Sequence, residues 1–248
     1  KSCHDMDIMM WMMSATKPTQ IASFGSKFQF KPENAPEGAG TICMKDCPYV
    51  DTCVYSTKRL YIDHPDRWAF YVWDALEGKE NPTIEDKIEL MKSDSPYARC
   101  IYKCDNDVVD HQSVLINFAS GATGTLNMIG GSAEPRRDIH IIGTKGEIFG
   151  NFEESKFTVL KIDPSPEAHH EECDVEEVDL KVTGDMVGAY GGHGGGDERL
   201  AADFVKFIRG EKPSLACTSI FDSVAGHLCV YLADNSRENG GIPQEVKL

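Results

Sequence analysis

Hydrophobic and polar positions change period twice along this chain. Residues 6–13 (Met-Asp-Ile-Met-Met-Trp-Met-Met) are mostly long side chains that lose little rotamer freedom in a helix, which predicts one ending near Ser14. Residues 20–30 alternate in part and are rich in aromatics, so they predict a strand. Residues 31–41, with two Pro and two Gly, predict a loop that leads into a cysteine-rich segment. Residues 66–76 predict a helix. Residues 83–92 predict another, with Thr83 as N-cap and Asp86 three positions on as an imperfect capping box.

The centre of the chain reads with strand period. Residues 108–109, 113–118, 122–129, 138–142, 147–151 and 157–162 are strand-like, and turn signals such as Gly130-Gly-Ser132 and Gly143-Thr-Lys-Gly146 separate them. Residues 177–182 suggest one more strand. Short links between consecutive strands imply antiparallel hairpins. The last third returns to helical period. Residues 197–208 carry Leu200, Ala201, Phe204, Val205 and Ile208 on one stripe, with Gly210 as the stop. Residues 221–236 repeat the pattern through Val224, Ala225, Leu228, Cys229, Leu232 and Ala233. The expected class is α+β: helices packed on one face of a large, mostly antiparallel open sheet, with 1–248 as a single domain.

Composition narrows the functions open to this pattern. At 248 residues the chain can bury a sizeable core, and its 41% hydrophobic and 26% charged content is that of a soluble protein. No apolar run reaches the ~20 residues needed to span a bilayer, so no membrane partner is expected. Forty acidic against 25 basic residues, a net charge of −15, argue against binding nucleic acid. Nine cysteines in a chain of this length read better as reduced thiols, and a cytoplasmic setting, than as an extracellular disulfide set.

Four groups of residues carry candidate chemistry. His4, in Cys3-His-Asp-Met-Asp7 at the head of the first helix, suits proton transfer to or from a substrate hydroxyl; the plainer reading is a helix-start residue beside two capping Asp. In Gly191-Gly-His-Gly-Gly-Gly-Asp197 the glycines let backbone N–H groups approach a ligand, with His193 projecting into the site and Asp197 capping the helix or holding a sugar hydroxyl. Its spacing is not that of a dinucleotide fingerprint. The run 105–112 ends in Asp110-His111-Gln112, and alternation puts Asp110 and Gln112 on one face and His111 on the other. Such groups suit a polyol; the alternative is a solvated edge with an Asx-turn at 105–106. Arg136, paired with Arg137, is a candidate clamp for an anionic group.

Cysteines form the fourth group. Cys43, Cys47 and Cys53, with Cys100 or Cys104, offer four thiolates for structural Zn²⁺, although the three- and five-residue spacings depart from the Cys-x-x-Cys knuckle. The other reading is a set of reduced thiols in a surface loop.

The motifs His4-Asp5-x-Asp7 with Trp11, Cys104-Asp-Asn-Asp-Val-Val-Asp-His-Gln112, Ile142-Gly-Thr-Lys-Gly-Glu-Ile148, Gly192-His-Gly-Gly-Gly-Asp197 and Asn235-Ser-Arg237 together resemble the C-terminal domain of the Gfo/Idh/MocA oxidoreductases. This is the family of glucose-fructose oxidoreductase and inositol dehydrogenase, and the resemblance runs essentially from end to end of the chain. It implies an upstream Rossmann domain that binds NAD or NADP and supplies a lysine from a Glu-Lys-Pro turn, neither of which is among these residues. It also implies a sugar, cyclitol or related polyol as substrate, a homo-oligomer, and His4 as the histidine that moves the hydroxyl proton with that lysine. On this reading the chain begins partway through a larger protein and is inactive alone. Two alternatives stand beside it: a domain of an NAD-retaining glycoside hydrolase, and a non-catalytic binding or oligomerisation module stapled by metal at its cysteines.

Overall fold

Long unbranched methionines give the chain its first helix, α1 (Ser2–Met12), which buries Met6 and Met10. The computed structural model describes residues 2–64, 69–167, 173–179 and 196–248. They fall into two compact units, Lys1–Gly130 with Ala225–Leu248, and Gly131–Val224.

In the first unit, β1 (Pro18–Ser26), β2 (His111–Phe118) and β3 (Thr123–Ile129) pair antiparallel in the order β3-β2-β1. β2 alternates cleanly: Val114, Ile116 and Phe118 are buried while Ser113, Leu115 and Asn117 face out. The buried face meets Met6 and Met10, Ile21, and Cys229 and Ala233 of the last helix in one core. β1 was expected to run to residue 30 but stops at Ser26, because the N–H groups of Phe28, Gln29 and Phe30 turn away to the Asp110 carboxylate. The predicted strand at 108–109 is likewise absent. There Asn106 Oδ1 accepts the Val108 N–H at 3.1 Å, an Asx-turn that closes the segment before β2 begins.

Between β1 and β2 the same unit is built from short pieces. These are α2 (Cys43–Asp46), a π-helical turn at Arg59–Asp63, α3 (Ala69–Asp74) and α4 (Ile84–Met91). The capping box at α4 forms as read, with Thr83 Oγ1 accepting the Asp86 N–H and Asp86 accepting the Thr83 N–H. A small core of Val72, Met91 and Ala98 supports this region.

The second unit holds β4 (Asp138–Gly143), β5 (Gly146–Asn151), β6 (Lys156–Ile162) and β7 (Cys173–Asp179), an antiparallel meander in sequence order. α5 (Gly196–Ile208) follows and is stopped at Gly210, whose φ of +73° only glycine adopts freely. Its apolar stripe was expected to face a core, yet Leu200, Phe204 and Ile208 are each more than 60% exposed. α5 instead buries Asp203, whose carboxylate takes the Ser214 N–H at 3.1 Å and the Ser214 hydroxyl.

α6 (Ile220–Glu238) closes the chain, and β8 (Gln244–Glu245), which no sequence pattern announced, adds to the free edge of β1. The class is α+β and antiparallel as expected, but the described strands divide into two four-stranded sheets rather than one large one. The break falls after β3. The Gly130-Gly-Ser132 signal opens a connection reaching to Arg137, Pro135 included, too long for a tight hairpin.

Candidate functional site

His4 sits exposed in the first turn of α1, two residues before the buried Met6. The short link from α1 to β1 turns the chain back, and the 119–121 turn is pinned beside it by Ala119 N–H to Lys17 O and Ser120 N–H to Thr16 Oγ1. α1 is about 16 Å long.

The pleat turns Asp110 and Gln112 to one side of the sheet and His111 to the other, in line with their alternation. Asp110 is turned inward, with its side chain 9% exposed, and accepts the N–H groups of Phe28 (2.8 Å), Gln29 (2.7 Å) and Phe30 (2.8 Å) and a bond from His111 Nδ1 (3.2 Å). Burial pushes its pKa up, but the hydrogen bonds from Phe30, Phe28, His111 and Gln29 outweigh it and hold the carboxyl at about 2. Asp110 is thereby an anchor for the 28–30 turn, its oxygens engaged by the protein. His111 lies on the opposite, open face, edge-on to Phe28 at 5.7 Å. Gln112 returns to the helix-covered face, where its Nε2 donates to Ser23 Oγ (2.9 Å) while the Ser23 N–H donates to Ser236 Oγ (3.0 Å). The helix-covered face thus carries a polar Gln112–Ser23–Ser236 chain, and α1 separately carries the exposed His4.

The remaining candidates belong to the second unit. Arg136 is exposed and pairs with Asp138 at 3.0 Å through Nε. Asp197 is half-buried in the first turn of α5. His193 lies outside the described residues. The same unit carries a feature that the sequence reading missed, an open groove on the β4–β7 sheet lined by His140, Glu147, Phe149, Phe157, Thr158 and Glu177 among others. His140 Nε2 and Glu147 Oε2 meet across β4 and β5 at 2.8 Å, and the His140 ring stands edge-on to Phe149. Carboxylates beside aromatic faces suit a polyol. The signal was available for His140, Glu147, Phe149, Thr158 and Glu177, which alternation and register put on one face, whereas Phe157 stands on the other.

The cysteines converge. Cys43, Cys47, Cys53 and Cys100 line one cavity of about 20 Å³ together with Tyr55, Arg99 and Tyr102. Burial pushes the Cys100 thiol up, the N–H groups of Tyr102 and Lys103 at its sulfur pull against it, and Cys47 and Cys43 add to the rise. Cys104, the other member of the 100/104 pair, donates instead to the Ile101 carbonyl at 3.3 Å. Among the described residues no group of three or more His, Cys, Asp or Glu side chains could hold a metal ion. Nearby, Lys87 is 1% exposed and lies over the Trp73 ring at 4.6 Å, and burial lowers its pKa. The Ile84–Ile88–Met91 spacing places it beside the apolar stripe, the clue available in the sequence.

Every strand pair described is antiparallel. The parallel strand–helix–strand unit that holds a dinucleotide pyrophosphate at a helix N-terminus is therefore not among the described residues. No helix among them is long and apolar enough to cross a membrane.

The fold matches that of solved oxidoreductases. An oxidoreductase domain protein from Kribbella flavida aligns over 99% of this chain and 50% of its own, at TM-score 0.54 and 14% identity. Levoglucosan dehydrogenase in its apo form aligns over 99% of this chain and 50% of its own, at TM-score 0.52 and 17% identity. The chain spans about half the length of each, and at these identities the likeness establishes the fold. No family model and no curated protein matches the sequence.

Proposed function

We propose that this chain is the substrate-binding half of an NAD(P)-dependent oxidoreductase acting on a sugar, cyclitol or related polyol. The observation that carries the reading is the end-to-end fold match to half of an oxidoreductase domain protein and half of levoglucosan dehydrogenase. The resemblance of the His4, 104–112 and 192–197 motifs to sugar and cyclitol oxidoreductases supports it independently.

In this reading His4 is the catalytic residue, accepting the proton of the substrate hydroxyl as that carbon is oxidised. Its exposure at the head of α1 leaves the ring open to a ligand. Gln112, on the helix-covered face of the same unit, contributes a hydrogen bond to the polyol, while His111 faces the other side of that sheet. Asp110 is a positioning residue, acting through His111 and the 28–30 turn. The nicotinamide site belongs to polypeptide outside the described residues, so the 248 residues alone turn over no substrate. A second copy of the chain and a cytoplasmic setting complete the reading.

The test uses the product of the complete reading frame that contains these residues, with NAD⁺ and NADP⁺ and a panel of sugars, cyclitols and levoglucosan. Wild-type protein is expected to reduce the nicotinamide, and His4→Asn to lower kcat by about 10²–10⁴-fold, the span of general acid–base catalysis. An unchanged kcat in His4→Asn would remove the assigned role. Cleavage of a chromogenic glycoside without net NADH would replace the oxidoreductase by the NAD-retaining hydrolase.

A further inference from the structure

We propose that Cys47 and Cys100 are a modification site, a thiol pair that hydrogen peroxide converts to a disulfide locking the segment between β1 and β2. Separate local structures deliver the two sulfurs to one place. Cys43 opens α2 and Cys47 follows its last residue, so the two lie one helical turn apart. Cys100 arrives from a distant part of the chain. The Ile42–Arg99 bridge and the Cys100 N–H to Thr41 O bond at 2.9 Å set it one strand spacing from the entry to α2. Cys53 returns to the same cavity on a turn closed by its own N–H to Tyr49 O at 2.8 Å.

The surroundings select this pair among the four cysteines on the cavity wall. Cys47 and Cys100 are both half-buried, within reach of a small oxidant. Cys43 is buried, and its sulfur is engaged by the Thr57 N–H at 3.4 Å and the Ser56 hydroxyl at 3.7 Å. Burial is the main cause that pushes the Cys100 thiol up, and Cys47, then Cys43, add to the rise. Cys53 bears instead on the Tyr102 hydroxyl. A cavity of about 20 Å³ admits one water-sized guest, so no side chain stands between sulfurs that face it. For cysteine, one torsion, χ1, aims the sulfur across that space.

The chemistry closes on two thiols and one peroxide. A thiol held up by burial is the slower nucleophile, so Cys47 meets the oxidant first. Its thiolate attacks one peroxide oxygen; the S–O bond forms, the O–O bond breaks, and the hydroxide that leaves is protonated to water. The Cys100 sulfur then attacks the Cys47 sulfenic acid, forming the S–S bond and expelling a second water. The two thiols lose two electrons and two protons, and the peroxide is reduced to two waters. A thiol such as glutathione reverses the bond by exchange, as suits a site whose resting state is reduced. The bond closes the loop from 47 to 100 around the small core of Val72, Met91 and Ala98. Short helices and turns around three fully buried side chains gain much from such a restraint on the unfolded chain. Tyr102 packs on Tyr55 and Phe30, so the same bond tightens the wall behind the 28–30 turn.

The test treats the reduced full chain with a small excess of hydrogen peroxide, blocks the remaining thiols by alkylation and maps tryptic peptides by mass spectrometry. The expected result is peptide 46–58 joined to peptide 100–103, two hydrogens lighter than the separate pair, with fragmentation placing the bond on Cys47. Dithiothreitol is expected to release the link, and the oxidised protein to unfold at a higher temperature than the reduced one. Cys104→Ser is expected to leave the link in place and Cys100→Ser to abolish it. Should Cys100→Ser fail to fold, the map of the wild-type chain decides. Full alkylation of Cys47 and Cys100 after peroxide would overturn the site. So would a bond from Cys100 to Cys43, Cys53 or Cys104 in place of Cys47, or links formed only between chains.

Discussion

Asp110 shows how one side chain can end one element and start another. Its carboxylate takes three consecutive backbone N–H groups, which stops β1 at Ser26, and it leans on His111 as β2 begins. With its folded pKa at about 2 against an ordinary ~3.9, it stabilises the fold fully above the ordinary value. That contribution is lost as pH falls toward 2. Asp110→Asn is expected to destabilise the protein by ~1.5–3 kcal/mol near neutrality, the range for hydrogen bonds to a charged group. The gap between wild type and variant should narrow below about pH 4, as measured by urea unfolding across pH, and a pH-independent gap would contradict the linkage. Asp46 does similar work at α2. Its carboxylate accepts the Thr41 N–H, which lowers its pKa most, and the Ile42 N–H and Thr41 hydroxyl, which add to the lowering against burial. A Cβ on Gly40 would collide with it, so this approach requires glycine.

At the scale of elements, period was the reliable guide. β2 through β6 begin and end within a few residues of their predicted bounds, because period-two burial is written directly in sequence. The alternation has a direct consequence for stability. Ile116→Ala, at 1% exposure, is expected to cost ~2–5 kcal/mol, while Leu115→Ala, next to it at 56%, should stay within about 0.5 kcal/mol. Chemical denaturation of the pair measures both, and equal losses would place β2 in another register. The elements that period missed are those fixed by distant partners. The two residues of β8 pair with β1 across more than 220 positions, and no local pattern encodes that. The same is true of the candidate sites. Alternation put Asp110 and Gln112 on one face and His111 on the other, but only the fold decided that Asp110 serves the 28–30 backbone and Gln112 the Ser23 hydroxyl.

The whole molecule divides where the strand pattern pauses. Residues 131–137 are exposed throughout and carry Arg136 and Arg137, and each unit has its own hydrogen-bonded sheet. Brief trypsin treatment is expected to nick after Arg136 or Arg137 before any cut after Lys87, which is buried in α4, since proteases need locally accessible sites. Peptide mapping of the first fragments checks this, and a first cut after Lys87 would contradict it. Composition, period and capping residues by themselves determined the α+β class, most strand and helix positions, the α4 cap and the stop at Gly210. These depend on neighbours a few residues away, which sequence displays. Only the tertiary structure decided that the strands form two sheets, that Asp110 serves the backbone, and that Cys100 rather than Cys104 joins Cys43, Cys47 and Cys53 around one cavity. Those outcomes rest on contacts between residues tens to hundreds of positions apart, selected by packing and hydrogen-bond satisfaction across the whole fold.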